Sequence, residues 1–220
     1  MKWEEAAGSG DAERGPPLPG DDRLDGPHGP DNLPTETRMP DTLPPDAPST
    51  AADWQADVFR VLKENGVKHV VYVPDAGYST AIRLSEADHE IHSVVLTTEE
   101  EGIGYLAGAW LGGERGALLM QSSGVGNCIN TLALQSVARF PLLMVVTMRG
   151  DWAEFNGWQN PMGQAAEAAL KLMGVMTWRA DEPKDVAPLL HGAATMAFNG
   201  DSACALLLGQ RLIGEKKWVK

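Results

Sequence analysis

Thr97-Thr98-Glu99-Glu100-Glu101-Gly102-Ile103-Gly104-Tyr105-Leu106-Ala107-Gly108-Ala109-Trp110, running on to Gln121-Ser122-Ser123-Gly124-Val125-Gly126-Asn127, decides how this chain is read. It spells a strand end, an acidic helix start, a helix, a strand, and a second helix start rich in glycine. Residues 91–96 before it form an apolar run that reads as a buried strand. Glu99 therefore stands at a strand's carboxyl end, where open parallel sheets keep their ligand crevices. Carboxylates also suit the positive end of a helix dipole. Glu99 to Glu101 are thus either first-turn charges or, for one of them, a proton-handling group.

Working outward, helix and strand patterns alternate along residues 52–208. Residues 52–65 carry Val58 and Leu62 on one helical face and close at Gly66. Residues 69–73 read as a short apolar strand ending at Pro74, and residues 79–85 as a helix. Strands follow at 91–96, 117–120, 142–147, 175–178 and 203–208. The helices between them span 99–111, 125–138, 163–173 and 186–197. This alternation predicts an α/β fold with a single doubly wound, mostly parallel sheet covered by helices on both faces.

The first 52 residues differ in kind. They hold 10 of the 15 prolines, with 11 acidic and 4 basic residues, and their apolar residues have no period. Such a segment buries too little to offset its ordering entropy. The expected domains are a disordered Pro/Asp/Gly-rich tail over 1–52 and one folded domain over 53–220, with Met39 as an alternative start. A net charge of −12 on 220 residues argues against nucleic-acid binding. No apolar run spans a membrane and no secretory signal pattern opens the chain. Cys128 and Cys204, both in apolar contexts, suit reduced core thiols in a cytoplasmic protein.

Several groups could carry chemistry. The glycines of 121–127 let backbone approach a ligand, but the segment lacks the lysine of a P-loop and is a poor dinucleotide fingerprint. Gln121, Ser122 and Asn127 are candidates to touch a ligand there, with Asn130 one turn on. Asp75, in Val73-Pro74-Asp75-Ala76-Gly77, ends the first strand and should face the same crevice, as a proton handler or as a plain turn former. Arg149, in Arg149-Gly150-Asp151-Trp152-Ala153-Glu154, suits a carboxylate, sulfonate or phosphonate. It equally suits an ion pair with Asp151 or Glu154. Cys128 as a nucleophile has no histidine nearby in sequence. His89 and His92 lie across a loop boundary that argues against a metal site, and no metal ligands are expected.

This order of residues resembles the pyrimidine-binding (Pyr) domain of thiamine diphosphate enzymes, in the branch of the sulfopyruvate and phosphonopyruvate decarboxylases. The resemblance covers about residues 53–210. In that family a glutamate ends a strand and opens an Ala/Gly-rich helix, and a Ser-Gly-x-Gly turn follows. Setting Ser123-Gly124-Val125-Gly126-Asn127 on that turn and counting back through Leu111 and Gly108 puts the glutamate at Glu99, with Glu100 as second choice. The resemblance implies that Glu99 hydrogen-bonds N1′ of the aminopyrimidine and favours its imino tautomer. It implies that Gln121, Ser122, Ser123, Gly124 and Asn127 touch the cofactor, and that Asp75, Arg149 and Gln159 handle substrate.

The family's second domain, PP, binds the diphosphate through Mg²⁺ with a Gly-Asp-Gly followed by Asn, a pattern not found here. A separate PP-domain beta subunit is therefore expected to supply the Mg²⁺ ligands in an α₂β₂ or larger assembly. Tyr105, Trp110 and Trp158 would serve as interface anchors. Alone, the chain should bind thiamine diphosphate weakly or not at all. The implied activity is decarboxylation of a small anionic 2-oxo acid, sulfopyruvate to sulfoacetaldehyde and carbon dioxide in the first instance. The alternatives are phosphonopyruvate or another 2-oxo acid, carboligation, and a non-catalytic Pyr-like scaffold.

Overall fold

A computed structural model of the protein describes residues 53–215. The expectations for residues 1–52 lie outside the described residues. The chain enters helix α1 (Trp54–Glu64), capped by Asp53, whose carboxylate accepts from the Ala56 N–H. Val58, Val61 and Leu62, at helical spacing, form its buried face, each side chain contributing about 1.5–3 kcal/mol of burial. Gly66, at φ 73°, turns the chain into β1 (Val67–Tyr72). There follow α2 (Ser79–Ala87), β2 (His92–Val95), α3 (Glu99–Leu111), β3 (Arg115–Gln121), α4 (Ser122–Cys128), α5 (Leu132–Ala138) and β4 (Leu142–Thr147). Then come α6 (Asn160–Leu172), β5 (Met176–Ala180), α7 (Pro183–Gly200), β6 (Ala203–Leu208) and α8 (Gln210–Ile213).

The six strands make one sheet in the order β2-β1-β3-β4-β6-β5, and every pairing is parallel. Alternate side chains of the central strands serve opposite faces. Leu143 and Val145 pack with α1, α2 and α7, while Leu142, Met144 and Val146 pack with α3, α4, α5 and α6. β4 and β6 are buried along their whole length, as strands covered on both faces must be. Among the described residues no helix is long and apolar enough to cross a membrane.

Two sequence expectations need correction. The run at 91–96 is buried only at its ends, Ile91 and Leu96: β2 between them is one of the two sheet edges, and its residues are partly exposed. Apolar content alone cannot tell an edge strand from a central one. The expected helix over 125–138 is two shorter helices, α4 and α5. α4 starts at Ser122, directly from the strand, and the chain then bends through Ile129 to Thr131. Ala133 and Leu134 reach back to the Asn130 and Thr131 carbonyls there.

The strand order also places a crevice. From β1 the chain moves outward to β2, and from β3 it moves the other way to β4. β1 and β3 are neighbours whose connections diverge, so the switch point falls between their carboxyl ends. Register sets Gln121 beside Thr147 across β3 and β4, next to the residues that leave β1.

Candidate active site

Three chain segments meet at that switch point. A cavity of about 130 Å³ is lined by Val73, Pro74, Asp75, Glu99, Gln121 and Ser123. Its size is close to the ~150 Å³ that admits one benzene ring. It suits a single small ring and not a whole dinucleotide or diphosphate cofactor.

Glu99 opens α3 and is 8% exposed. Its Oε2 accepts from the Asn127 amide at 2.8 Å. α4 crowds it closely: a Cβ built on Gly124 would lie 2.4 Å from Glu99 Cδ and Oε1. Glycine at 124 is therefore what allows the carboxylate its position. The neighbouring acids turn elsewhere. Glu100 accepts from the Thr98 hydroxyl, and Glu101 from the Thr97 N–H at 3.0 Å. Of the three, Glu99 alone lines the cavity. Two glycines in a seven-residue helix cost about 1 kcal/mol each against alanine. At Gly124 packing overrides that cost; Gly126 is less constrained, since a Cβ there would meet Met162 Sδ at 3.4 Å, an ordinary contact.

Asp75 is held on both oxygens. Oδ2 accepts from Thr147 Oγ1 at 2.8 Å and from the Gly77 N–H at 3.2 Å, and Oδ1 accepts from Gln121 Nε2 at 3.2 Å. Gln121 Oε1 in turn accepts from the Ser123 hydroxyl at 3.0 Å. A chain of polar groups thus runs along the cavity wall from Thr147 to Ser123. Beneath it Tyr78 is fully buried, its hydroxyl 2.9 Å from the Met120 carbonyl and 2.5 Å from that of Val145. Burial raises this phenol well above its ordinary value, so it stays neutral.

The remaining expected residues lie elsewhere. Ser122 is buried away from the cavity; its hydroxyl accepts from the Arg149 N–H at 3.0 Å and lies 3.2 Å from the Arg149 carbonyl. It ties the ends of β3 and β4 together. Arg149 is 6% exposed, and Glu154 already fills its fork through two hydrogen bonds of 2.6 Å. Gln159 closes a short turn whose carbonyl abuts Gly150, outside the cavity lining. Tyr105 is half-buried with its hydroxyl on His69, whereas Trp110 and Trp158 are exposed. The Cys128 thiol is pushed up to about 12 by burial and then by the Glu99 charge, which makes it inert. Among the described residues no three His, Cys, Asp or Glu side chains gather as a metal site.

Sequence reasoning missed Thr147, Tyr78 and Gln210 as contributors, and it left Glu154 as one of two ion-pair partners for Arg149, the one the structure shows. Thr147 carried a signal: a polar residue ending an otherwise apolar strand beside the switch point. Tyr78 and Gln210 act through contacts 67 and 56 residues apart, which no local pattern reveals.

The profile described as thiamine pyrophosphate enzyme, N-terminal TPP binding domain, matches residues 53–167. The alpha subunit of sulfopyruvate decarboxylase from Methanococcus maripaludis is 36% identical over 152 residues, covering 69% of this chain and 91% of the relative. That from Methanothermobacter thermautotrophicus is 34% identical, covering 71% and 95%. Phosphonopyruvate decarboxylase of Streptomyces viridochromogenes is 36% identical over 96 residues, covering 43% of this chain and 24% of the relative. Among solved structures, 2-oxoglutarate:ferredoxin oxidoreductase from Magnetococcus marinus superposes with a TM-score of 0.60 at 13% identity, covering 75% of this chain and 33% of that one. That likeness is one of fold.

Proposed function

The chain belongs to the thiamine pyrophosphate enzymes through their N-terminal TPP-binding domain, and on that premise we propose that it is the alpha subunit of a two-subunit 2-oxo acid decarboxylase acting on sulfopyruvate. The observation that carries the reading is Glu99: a buried carboxylate on the wall of a ring-sized cavity, held by Asn127 and given room by Gly124. The donor set fits the aminopyrimidine end of thiamine diphosphate. One acid faces a ring nitrogen, and amide and hydroxyl groups from Gln121 and Ser123 stand around it.

When bound, the cofactor supplies the electron sink on which a 2-oxo acid loses carbon dioxide. Glu99 holds a proton at N1′ of the aminopyrimidine. Its burial removes competing water and strengthens that hydrogen bond. Asn127 orients the carboxylate by engaging one of its oxygens. Gln121 and Ser123 present polar atoms to the ring or the substrate, and Asp75, locked by Thr147 and Gln121, faces the substrate side. Ser122 keeps the two strand ends in register and so holds Gln121 and Ser123 in place. The diphosphate and its Mg²⁺ are assigned to a PP-domain beta subunit, in a cytoplasmic heteromer.

The test is co-expression with a PP-domain partner, addition of thiamine diphosphate and Mg²⁺, and measurement of carbon dioxide released from sulfopyruvate. Release should require both chains. Glu99→Gln should reduce it by at least ~10²-fold, the scale of a lost acid–base group, with the complex unchanged in size. Full turnover in Glu99→Gln would refute the role of Glu99, and a complex that acts only on phosphonopyruvate would move the substrate.

A further inference from the structure

Just past the end of β4 lies a carboxylate receptor whose occupant belongs to the chain itself. Arg149 Nε and Nη2 donate to Glu154 Oε2 and Oε1 at 2.6 Å each. Gln210 Nε2 donates to Oε2 at 2.8 Å, and the Asn156 N–H to Oε1 at 3.0 Å. The Glu154 side chain is 2% exposed, and the Arg149 fork holds its carboxyl down to about 2. The receptor adjoins the cavity. Ser122, which follows the cavity residue Gln121, binds the Arg149 backbone, and the Asp75 charge reaches the guanidinium.

The loop that delivers Glu154 carries several unfavourable features. Ala153, just before it, sits at φ 45°, a left-handed conformation unfavourable for a residue with a Cβ. Asp151 Oδ1 and Gln159 Oε1 are buried without a hydrogen-bond partner, which costs free energy. Trp152 and Phe155 are half-exposed, and Trp158 is 85% exposed, so large apolar surfaces remain for the loop to bury in another position. The Arg149–Glu154 pair opposes these terms, helped at the loop's start by Arg179 on Asp151 and by the Asp151 and Trp152 N–H groups donating to Gln210 Oε1. A buried ion pair is itself weak evidence for a stabilising role, since desolvation offsets much of its attraction.

We propose that Arg149 and Gln210 form the receptor for the second anionic group of the substrate, a carboxylate, sulfonate or phosphonate, and that Glu154 is its internal placeholder, displaced as the loop turns out. This rests on the decarboxylase reading of the site. Charge balances in the exchange: Arg149 trades one anion for another, and Glu154 passes into water. The device also selects. A 2-oxo acid with no second anion has nothing to set against Glu154 and leaves the loop closed.

The test uses the full chain alone, through tryptophan fluorescence and thermal unfolding. Methanesulfonate, acetate and methylphosphonate are titrated against sodium chloride at equal ionic strength. Glu154→Gln keeps the shape of the placeholder and removes its charge. Its half-saturation should fall ~10-fold or more below that of the native chain, as for release of a competitor holding the receptor nine-tenths closed. Adding Arg149→Met to that variant should abolish the response. Equal responses in the native and Glu154→Gln chains, or a response that survives Arg149→Met, would overturn the proposal. Should Glu154→Gln not fold, Glu154→Asp loosens the placeholder in a milder way and must move half-saturation in the same direction; no shift overturns it too. The ranking of the three anions identifies the group the receptor prefers. Neither cofactor nor turnover enters this titration, so its failure leaves the decarboxylase reading standing. Failure of the Glu99→Gln turnover test would leave an anion receptor without its assignment to substrate.

Discussion

Gly124→Ala should cost this protein its site while leaving its fold. The added Cβ would lie 2.4 Å from Cδ and Oε1 of Glu99 and 2.5 Å from its Cγ, far inside contact distance. α4 is held by Ser122 at one end and by Met162 against Gly126, so the side chain gives way before the backbone does. Glu99 must leave Asn127, and a hydrogen bond to a charged group contributes about 1.5–3 kcal/mol. Alanine returns at most about 1 kcal/mol of helix propensity. The net loss is about 0.5–2 kcal/mol, or roughly 1–8 °C in Tm for a domain of this size. Thermal unfolding of the chain reads the stability, and carbon dioxide release with the PP partner reads the function, which should fall as far as in Glu99→Gln. Gly108→Ala on α3, where an added Cβ meets nothing within 4 Å, is the control and should raise Tm by ~2–4 °C. A Gly124→Ala chain as stable and active as the native one would refute the claim that this glycine exists to seat Glu99.

Acid should weaken the loop ion pair in a defined window. Because Glu154 is held at about 2 against an ordinary 4.5, its contribution is whole above pH 4.5 and is lost as pH falls towards 2. About 2 kcal/mol should have gone by pH 3 at 1.36 kcal/mol per unit. Urea unfolding at pH 6 and pH 3 should show the native chain losing more than Glu154→Gln, and parallel losses would contradict it. Thr147→Val removes the hydroxyl that donates to Asp75. It should destabilise by about 1.5–3 kcal/mol and raise KM for the 2-oxo acid, read by denaturant melts and steady-state kinetics. Gly163→Ala would set a Cβ 1.9 Å from the Arg149 carbonyl. Backbone cannot yield as a side chain does, so a loss of about 3 kcal/mol or more is expected, read as a large drop in Tm.

The alternation of apolar strands and amphipathic helices was enough to name a doubly wound sheet, because burial on both faces imposes near-continuous apolar strands and one-sided helices. The position of Glu99 was legible for the same kind of local reason: a strand end, a helix start and a glycine-rich turn follow one another at short range. Which of three adjacent glutamates turns inward depends on the helix face that packs against α4, so burial of Glu99 beside Gly124 had to come from three dimensions. The role of Ser122 is similar. Its sequence neighbours point into the cavity, but helical rotation carries its own hydroxyl to the Arg149 backbone.

What the sequence determined by itself is the class of the fold, together with the chemical types that end β1 and β3 and open α3, because strand alternation, helix starts and glycine positions are local properties. Only the tertiary structure decided that β2 is an edge, that Thr147 secures Asp75, and that Glu154 and Gln210 close over Arg149. These contacts join segments between 5 and 72 residues apart. Their energies depend on burial and on competing partners, neither of which exists until the sheet and its two helical layers have assembled.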